Sequence, residues 1–151
     1  MVIAFFGHSD FSADEIIKEK LLETLRSLIN DSEAEQLLGG YGGFDRFALN
    51  CGKCYKKENF KAKLILVTPY LNRSHSEGCE YDETLYPTLE KVPDRYAISA
   101  RNKWMVDRAD VIISYIDREY GGAFKTFEYA RKKKKVIINL ALTERVSDFE
   151  V

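Results

Sequence analysis

Several things are scarce in this 151-residue chain, and each scarcity removes a class of function. Net charge is nearly absent: 23 Lys and Arg against 24 Asp and Glu leave a formal charge of -1, without the cationic surplus expected of a nucleic-acid binder. Apolar runs are short, and none approaches the ~20 residues needed to span a bilayer, which argues against a membrane partner. The N-terminus, Met1-Val2-Ile3-Ala4-Phe5-Phe6-Gly7, has no basic n-region and no small-residue cleavage site, so a cytoplasmic protein is expected. The chain contains 3 cysteines, too few for a disulfide framework. Internal repeats and low-complexity tracts are missing too.

Two local features run against this picture. Arg131-Lys132-Lys133-Lys134-Lys135 is a basic run, but it closes a predicted helix, where cations complement the helix dipole. Cys51 and Cys54 form a CxxC that His75 and Cys79 would extend to a zinc ligand set. Phe47, Ala48, Cys51 and Tyr55 recur at helical spacing, however, which makes Cys51 a small core residue. No metal and no cofactor are therefore expected.

What is present is the pattern of one α/β domain, residues 1–151. Hydrophobic residues make up 45% of the chain. Val2 to Phe6, Leu64 to Val67, Val111 to Ile116 and Val136 to Leu140 are continuous apolar runs, as in parallel strands covered on both faces. Gln36 to Leu38 reads as a weaker fifth strand. Ser12 and Glu15 have capping-box spacing before the stripe Ile16, Ile17, Leu21, Leu22, Leu25, Leu28. Further helices are expected over 44–57, 95–108 and 123–134. Strand and helix thus alternate, implying a Rossmann-like, doubly wound, mainly parallel five-stranded sheet with helices on both faces. The polar stretch 72–94 breaks the alternation and reads as a long loop with room for one short helix, either a lid or a tolerated surface insertion.

Ligands of open α/β sheets bind at the carboxyl ends of the strands. Residues following the predicted strands suit that role: Gly7, His8 and Ser9; then Gly39, Gly40, Gly42 and Gly43; then Thr68, Pro69 and Tyr70; and, after Asp117, Gly121 and Gly122 with Thr126. Gly39-Gly40-Tyr41-Gly42-Gly43 is the most informative of these. Four glycines between a strand and a helix free the backbone to approach an anion at the helix N-terminus, and phosphate is the natural occupant. It is no dinucleotide fingerprint, because Asp45 stands where the last glycine belongs, and Phe124 before Lys125 rules out a P-loop. His8 and Ser9 would add donors, and Tyr41, Tyr70 or Trp104 would stack a base.

Arg101-Asn102-Lys103-Trp104-Met105, Ala109-Asp110, an apolar strand, and Gly121-Gly122 through Thr126 to Glu128 together resemble the signature of the LOG-type phosphoribohydrolases. These belong to the SLOG superfamily with the DNA-processing protein DprA. Phe6-Gly7-His8-Ser9-Asp10-Phe11, the first glycine turn with Phe44-Asp45, and Thr68-Pro69-Tyr70 are more similar to the small YpsA-like branch. The resemblance implies that Arg101 grips a phosphate or orients a sugar, and that Glu128 stabilises oxocarbenium-like charge or positions water. Two departures stand out: Asn102 replaces a lysine, and Ala123-Phe124-Lys125 precedes Thr126 where the family has glycine. The reading that follows is binding of a nucleotide-like small molecule, as in a sensor. Cleavage of an N-glycosidic bond is the alternative, and single-stranded DNA binding is a third reading that the balanced charge disfavours. A homo-oligomer is compatible with this sequence.

Overall fold

The computed structural model describes residues 1–71 and 80–142, and the backbone of 149–150. Strands β1 (Val2–Gly7), β2 (Ala34–Leu38), β3 (Ala62–Val67), β4 (Glu83–Leu85), β5 (Val111–Tyr115), β6 (Val136–Asn139) and β7 (Phe149–Glu150) form one sheet in the order β4-β3-β2-β1-β5-β6-β7. All pairings are parallel except β6 with β7. Four helices connect them: α1 (Glu15–Ile29), α2 (Gly43–Glu58), α3 (Asp94–Arg108) and α4 (Gly122–Lys132).

Alternation along each strand sends side chains to opposite faces, and both faces are apolar. Ile3 and Phe5 enter one core with Leu21, Leu25 and Ile29 of α1 and Phe44, Phe47, Cys51 and Tyr55 of α2. Ala4 and Phe6 enter the other, with Met105 and Val106 of α3 and Ala130 of α4. The chain is thus doubly wound. It leaves β1 outward through β2, β3 and β4, then returns to β5 on β1's other side, so strand order reverses between β1 and β5.

The expected five strands are all present, and two short edge strands extend the sheet. β4 lies within the stretch read as a loop: Glu83, Thr84 and Leu85 pair with Ile65, Leu66 and Val67. Residues 72–79 of that stretch, with the zinc candidates His75 and Cys79, lie outside the described residues. Among the described residues no group of three or more His, Cys, Asp or Glu converges as metal ligands, and Cys51 is buried in the core with its thiol pushed up to about 12 by burial. No helix among the described residues is long and apolar enough to cross a membrane.

Helix α1 corrects one local expectation. Its cap is Asp14, not Ser12: the Asp14 carboxylate accepts the N–H groups of Ile16 at 2.7 Å and Ile17 at 3.2 Å. A carboxylate satisfies orphan amides and also complements the positive helix end, which a hydroxyl two residues further out cannot do. The stripe correspondingly starts later, with Ile16 turned to solvent.

Candidate functional site

A cleft of about 440 Å³ opens at the carboxyl edge of the sheet, over the switch point between β1 and β5. Its walls include Gly7 at the end of β1 with His8, Ser9 and Asp10 after it; Gly39 and Tyr41 after β2, with Asp45 in the first turn of α2; Arg118, Tyr120 and Gly121 after β5, with Gly122 and Ala123 opening α4; and Ile98, Arg101 and Asn102 on α3. Of the residues singled out from sequence, it therefore gathers Gly7, His8, Ser9, Gly39, Tyr41, Arg101, Gly121 and Gly122. Gly40, Gly42, Gly43, Thr68, Pro69, Tyr70, Thr126 and Glu128 are not among its lining residues.

The two glycine turns have opposite reasons for lacking side chains. In the first, glycine makes room for protein. A Cβ on Gly43 would meet Phe11 O at 2.2 Å, and one on Gly39 would meet the Arg101 guanidinium at 3.0 Å. The Gly43 N–H already donates to Ser9 O at 2.7 Å. Helix α2 also lacks a side-chain cap bond, but Asp45 places a carboxylate in its first turn, where it complements the helix dipole and accepts the Tyr41 N–H at 2.9 Å. The second turn is open. Gly121 has φ +94°, a conformation that L residues rarely adopt, and Cβ atoms on Gly121 or Gly122 would meet none of the described residues within 4 Å. Gly122 keeps an ordinary φ, so neither strain nor crowding demands glycine there. Helix α4 has no side-chain cap and no acidic residue in its first turn. Its first intrahelical bond runs from Lys125 N–H to Gly121 O, and the N–H groups of Gly122, Ala123 and Phe124 have no partner among the described residues.

Arg101 joins the two turns. It is 3% exposed, and its Nη1 donates to Gly39 O at 2.9 Å and Val67 O at 2.8 Å, while Nε donates to Asn102 Oδ1 at 2.8 Å. Nη2 has no partner among the described residues. Burial lowers the guanidinium's pKa, opposed by the charge of Asp45; an arginine remains protonated at neutral pH all the same. Asn102 continues the chain of contacts: its Nδ2 donates to Thr126 Oγ1 at 3.2 Å, and Thr126 Oγ1 donates to Gly122 O at 3.1 Å. Thr126 thus stands behind the second turn and braces it. A lysine at position 102 could not accept from Arg101, so the departure from the LOG-type pattern has a structural use here.

His8 is 6% exposed and faces Asp117: its Nε2 accepts the Asp117 N–H at 3.3 Å, which leaves that nitrogen no proton to offer a ligand. Burial, and then Arg118, hold its pKa below the ordinary histidine value against the charges of Asp117 and Asp10. Burial pushes the Asp45 carboxyl up to about 6, opposed by the Tyr41 N–H and the Arg101 charge. Sequence reasoning missed Asp45, Asp10, Arg118 and Tyr120 as lining groups. Glu128 engages Arg131 of its own helix at 3.2 Å. Tyr70 N–H and Thr68 Oγ1 meet in a local turn at 3.3 Å, and Trp104 packs against the core beneath Arg108, whose Cζ is 5.3 Å from its ring.

Comparison with known proteins places this arrangement. The chain superposes on DNA processing protein A from Helicobacter pylori with a TM-score of 0.66, over 99% of this chain and 68% of that one, at 17% identity. It superposes on the molybdenum cofactor binding protein from Rippkaea orientalis with a TM-score of 0.59, over 97% of this chain and 78% of that one, at 16% identity. Both likenesses show a shared fold, as the resemblance to SLOG proteins leads one to expect, and they do not single out the YpsA-like branch. An uncharacterised SPbeta prophage-derived protein of Bacillus subtilis (strain 168), YoqJ, is 25% identical over 138 residues, covering 77% of this chain and 81% of its own. No family model matches. The Helicobacter pylori neighbour is described by its single-stranded DNA binding mode and the Rippkaea orientalis one as binding the molybdenum cofactor, so the shared fold lends no support to excluding nucleic acid on net charge alone.

Proposed function

We propose that this SLOG-fold chain binds a nucleotide or nucleotide-derived small molecule in the switch-point cleft, with a phosphate against Gly121, Gly122 and the first amides of α4. The observation that carries the reading is the open second turn: amides without a partner among the described residues, at an uncapped helix N-terminus lining a cleft that also holds the buried Arg101 cation. Phosphate therefore moves from the first glycine turn, where packing and Asp45 fill the space, to the second. The first turn serves as the opposite wall, holding Arg101 through Gly39 O.

The rest of the cleft suits the rest of a nucleotide. Its volume of about 440 Å³ lies within the range of small-molecule sites. Tyr41 and Tyr120, 69% and 67% exposed, stand at the rim as faces on which a base stacks. Asp45 offers an acceptor for a ribose hydroxyl or a base amino group, and the Asp10 carboxylate lies against Arg118. The lining cations Arg101 and Arg118 are matched by those carboxylates, which favours a compact ligand with one anionic end over a polyanion needing a continuous cationic track.

Isothermal calorimetry with adenosine 5′-monophosphate and with adenosine tests the reading. Monophosphate binding at least about tenfold tighter than adenosine is expected, since charge-assisted bonds to phosphate contribute roughly 1.5–3 kcal/mol. Equal affinities, or no affinity for either, would overturn it.

A further inference from the structure

The cleft's second cation, Arg118, belongs to neither glycine turn. It follows β5, three residues before Gly121, and reaches across the switch point to the loop after β1. Nη1 and Nη2 donate to the two oxygens of Asp10 at 3.0 and 2.5 Å, and Nε donates to Asp117 Oδ1 at 3.2 Å. Tyr120 lies beneath, its ring 5.7 Å from Cζ. The Arg118 side chain is 29% exposed and that of Asp10 65%.

Two properties of this pair matter together. A guanidinium fork accepts a carboxylate and a phosphate in the same bidentate geometry, so the Asp10 carboxylate occupies the place a phosphate would take. A pair this exposed contributes little to stability, so exchanging its anion costs little. We infer that Arg118 is a ligand-binding residue whose fork is covered by Asp10 until a phosphate displaces it. Asp117 retains Nε throughout and keeps the guanidinium beside the Gly121–Gly122 turn. Asp10 acts as a competitor that sets how much phosphate affinity the cleft shows. This rests on the proposed function, because it gives the same phosphate a second partner.

Calorimetry on four proteins decides it: wild type, Asp10→Asn, Arg118→Gln and the double variant, each titrated with adenosine 5′-monophosphate and with adenosine. Asp10→Asn is expected to bind the monophosphate about threefold tighter, the size of an exposed ion pair removed. Arg118→Gln is expected to bind it about tenfold more weakly. The double variant should match Arg118→Gln, because Asp10 has nothing left to cover, and adenosine should bind all four alike. A threefold gain that persists without Arg118, or that adenosine shares, would show plain charge repulsion by Asp10 and overturn the exchange. Wild type that binds neither compound would instead refute the proposed function on which the exchange rests. Thermal melts of the four proteins, expected to agree closely because Asp10 is exposed and Arg118 engages only rim groups, exclude misfolding as the cause.

Discussion

Replacing Asp45 by asparagine should stabilise the unliganded protein at neutral pH and do nothing in acid. The Asp45 carboxyl sits at about 6 against an ordinary 3.8 because burial outweighs the Tyr41 N–H bond and the Arg101 charge. A folded-state pKa above the unfolded one means the folded protein binds the extra proton. The associated stability is fully present below about 3.8 and is lost as pH rises through about 6. The shift of about 2 units sets a ceiling near 3 kcal/mol. Asp45 keeps part of its surface open to the cleft, so roughly 1–2 kcal/mol is expected after solvent screening. Asparagine keeps an acceptor for the Tyr41 N–H without the charge. Urea unfolding of both proteins from pH 3 to 8 should give a difference near zero at the acid end, growing to that value by pH 7.5. Asp10, Glu58, Glu80 and Asp82 are held below their ordinary values and lose stability in acid in both proteins, so they cancel in the difference. A pH-independent difference, or an asparagine variant less stable at pH 7.5, would refute the reasoning.

Two further substitutions probe the scaffold. Gly43→Ala drives a Cβ to 2.2 Å from the Phe11 carbonyl oxygen, and a loss of ~2 kcal/mol or more is expected, read as a fall of roughly 5 °C in melting temperature. Asn102→Lys removes the acceptor of Arg101 Nε and the donor to Thr126. Denaturant unfolding should show a loss of about 1–3 kcal/mol, accompanied by weaker monophosphate binding because Arg101 and the Gly122 turn lose their link.

The strands could be read from sequence because buried parallel strands are continuous apolar runs, and Ile3 to Phe6 and Val111 to Ile113 have no other explanation. β4 could not: it has three residues, two exposed, at the sheet's edge, and only its pairing with β3 makes it a strand. The edge of the sheet that carries the cleft was legible too, since small and polar residues follow each strand there. Which glycines face a ligand was not. That depends on what a missing Cβ would touch, and for Gly43 the answer is Phe11, a neighbour far away in sequence. Arg118 and Asp10 escaped for a similar reason, being separated by 108 residues and joined only by folding.

Gly122 offers the most direct test of where the phosphate sits. Its φ suits any residue and a Cβ there meets none of the described residues, so Gly122→Val should melt within a degree or two of wild type while filling the cradle. Calorimetric titration of this variant with adenosine 5′-monophosphate should show at least a tenfold loss of affinity. A folded Gly122→Val protein that binds the monophosphate as tightly as wild type would contradict the assignment of phosphate to the second glycine turn.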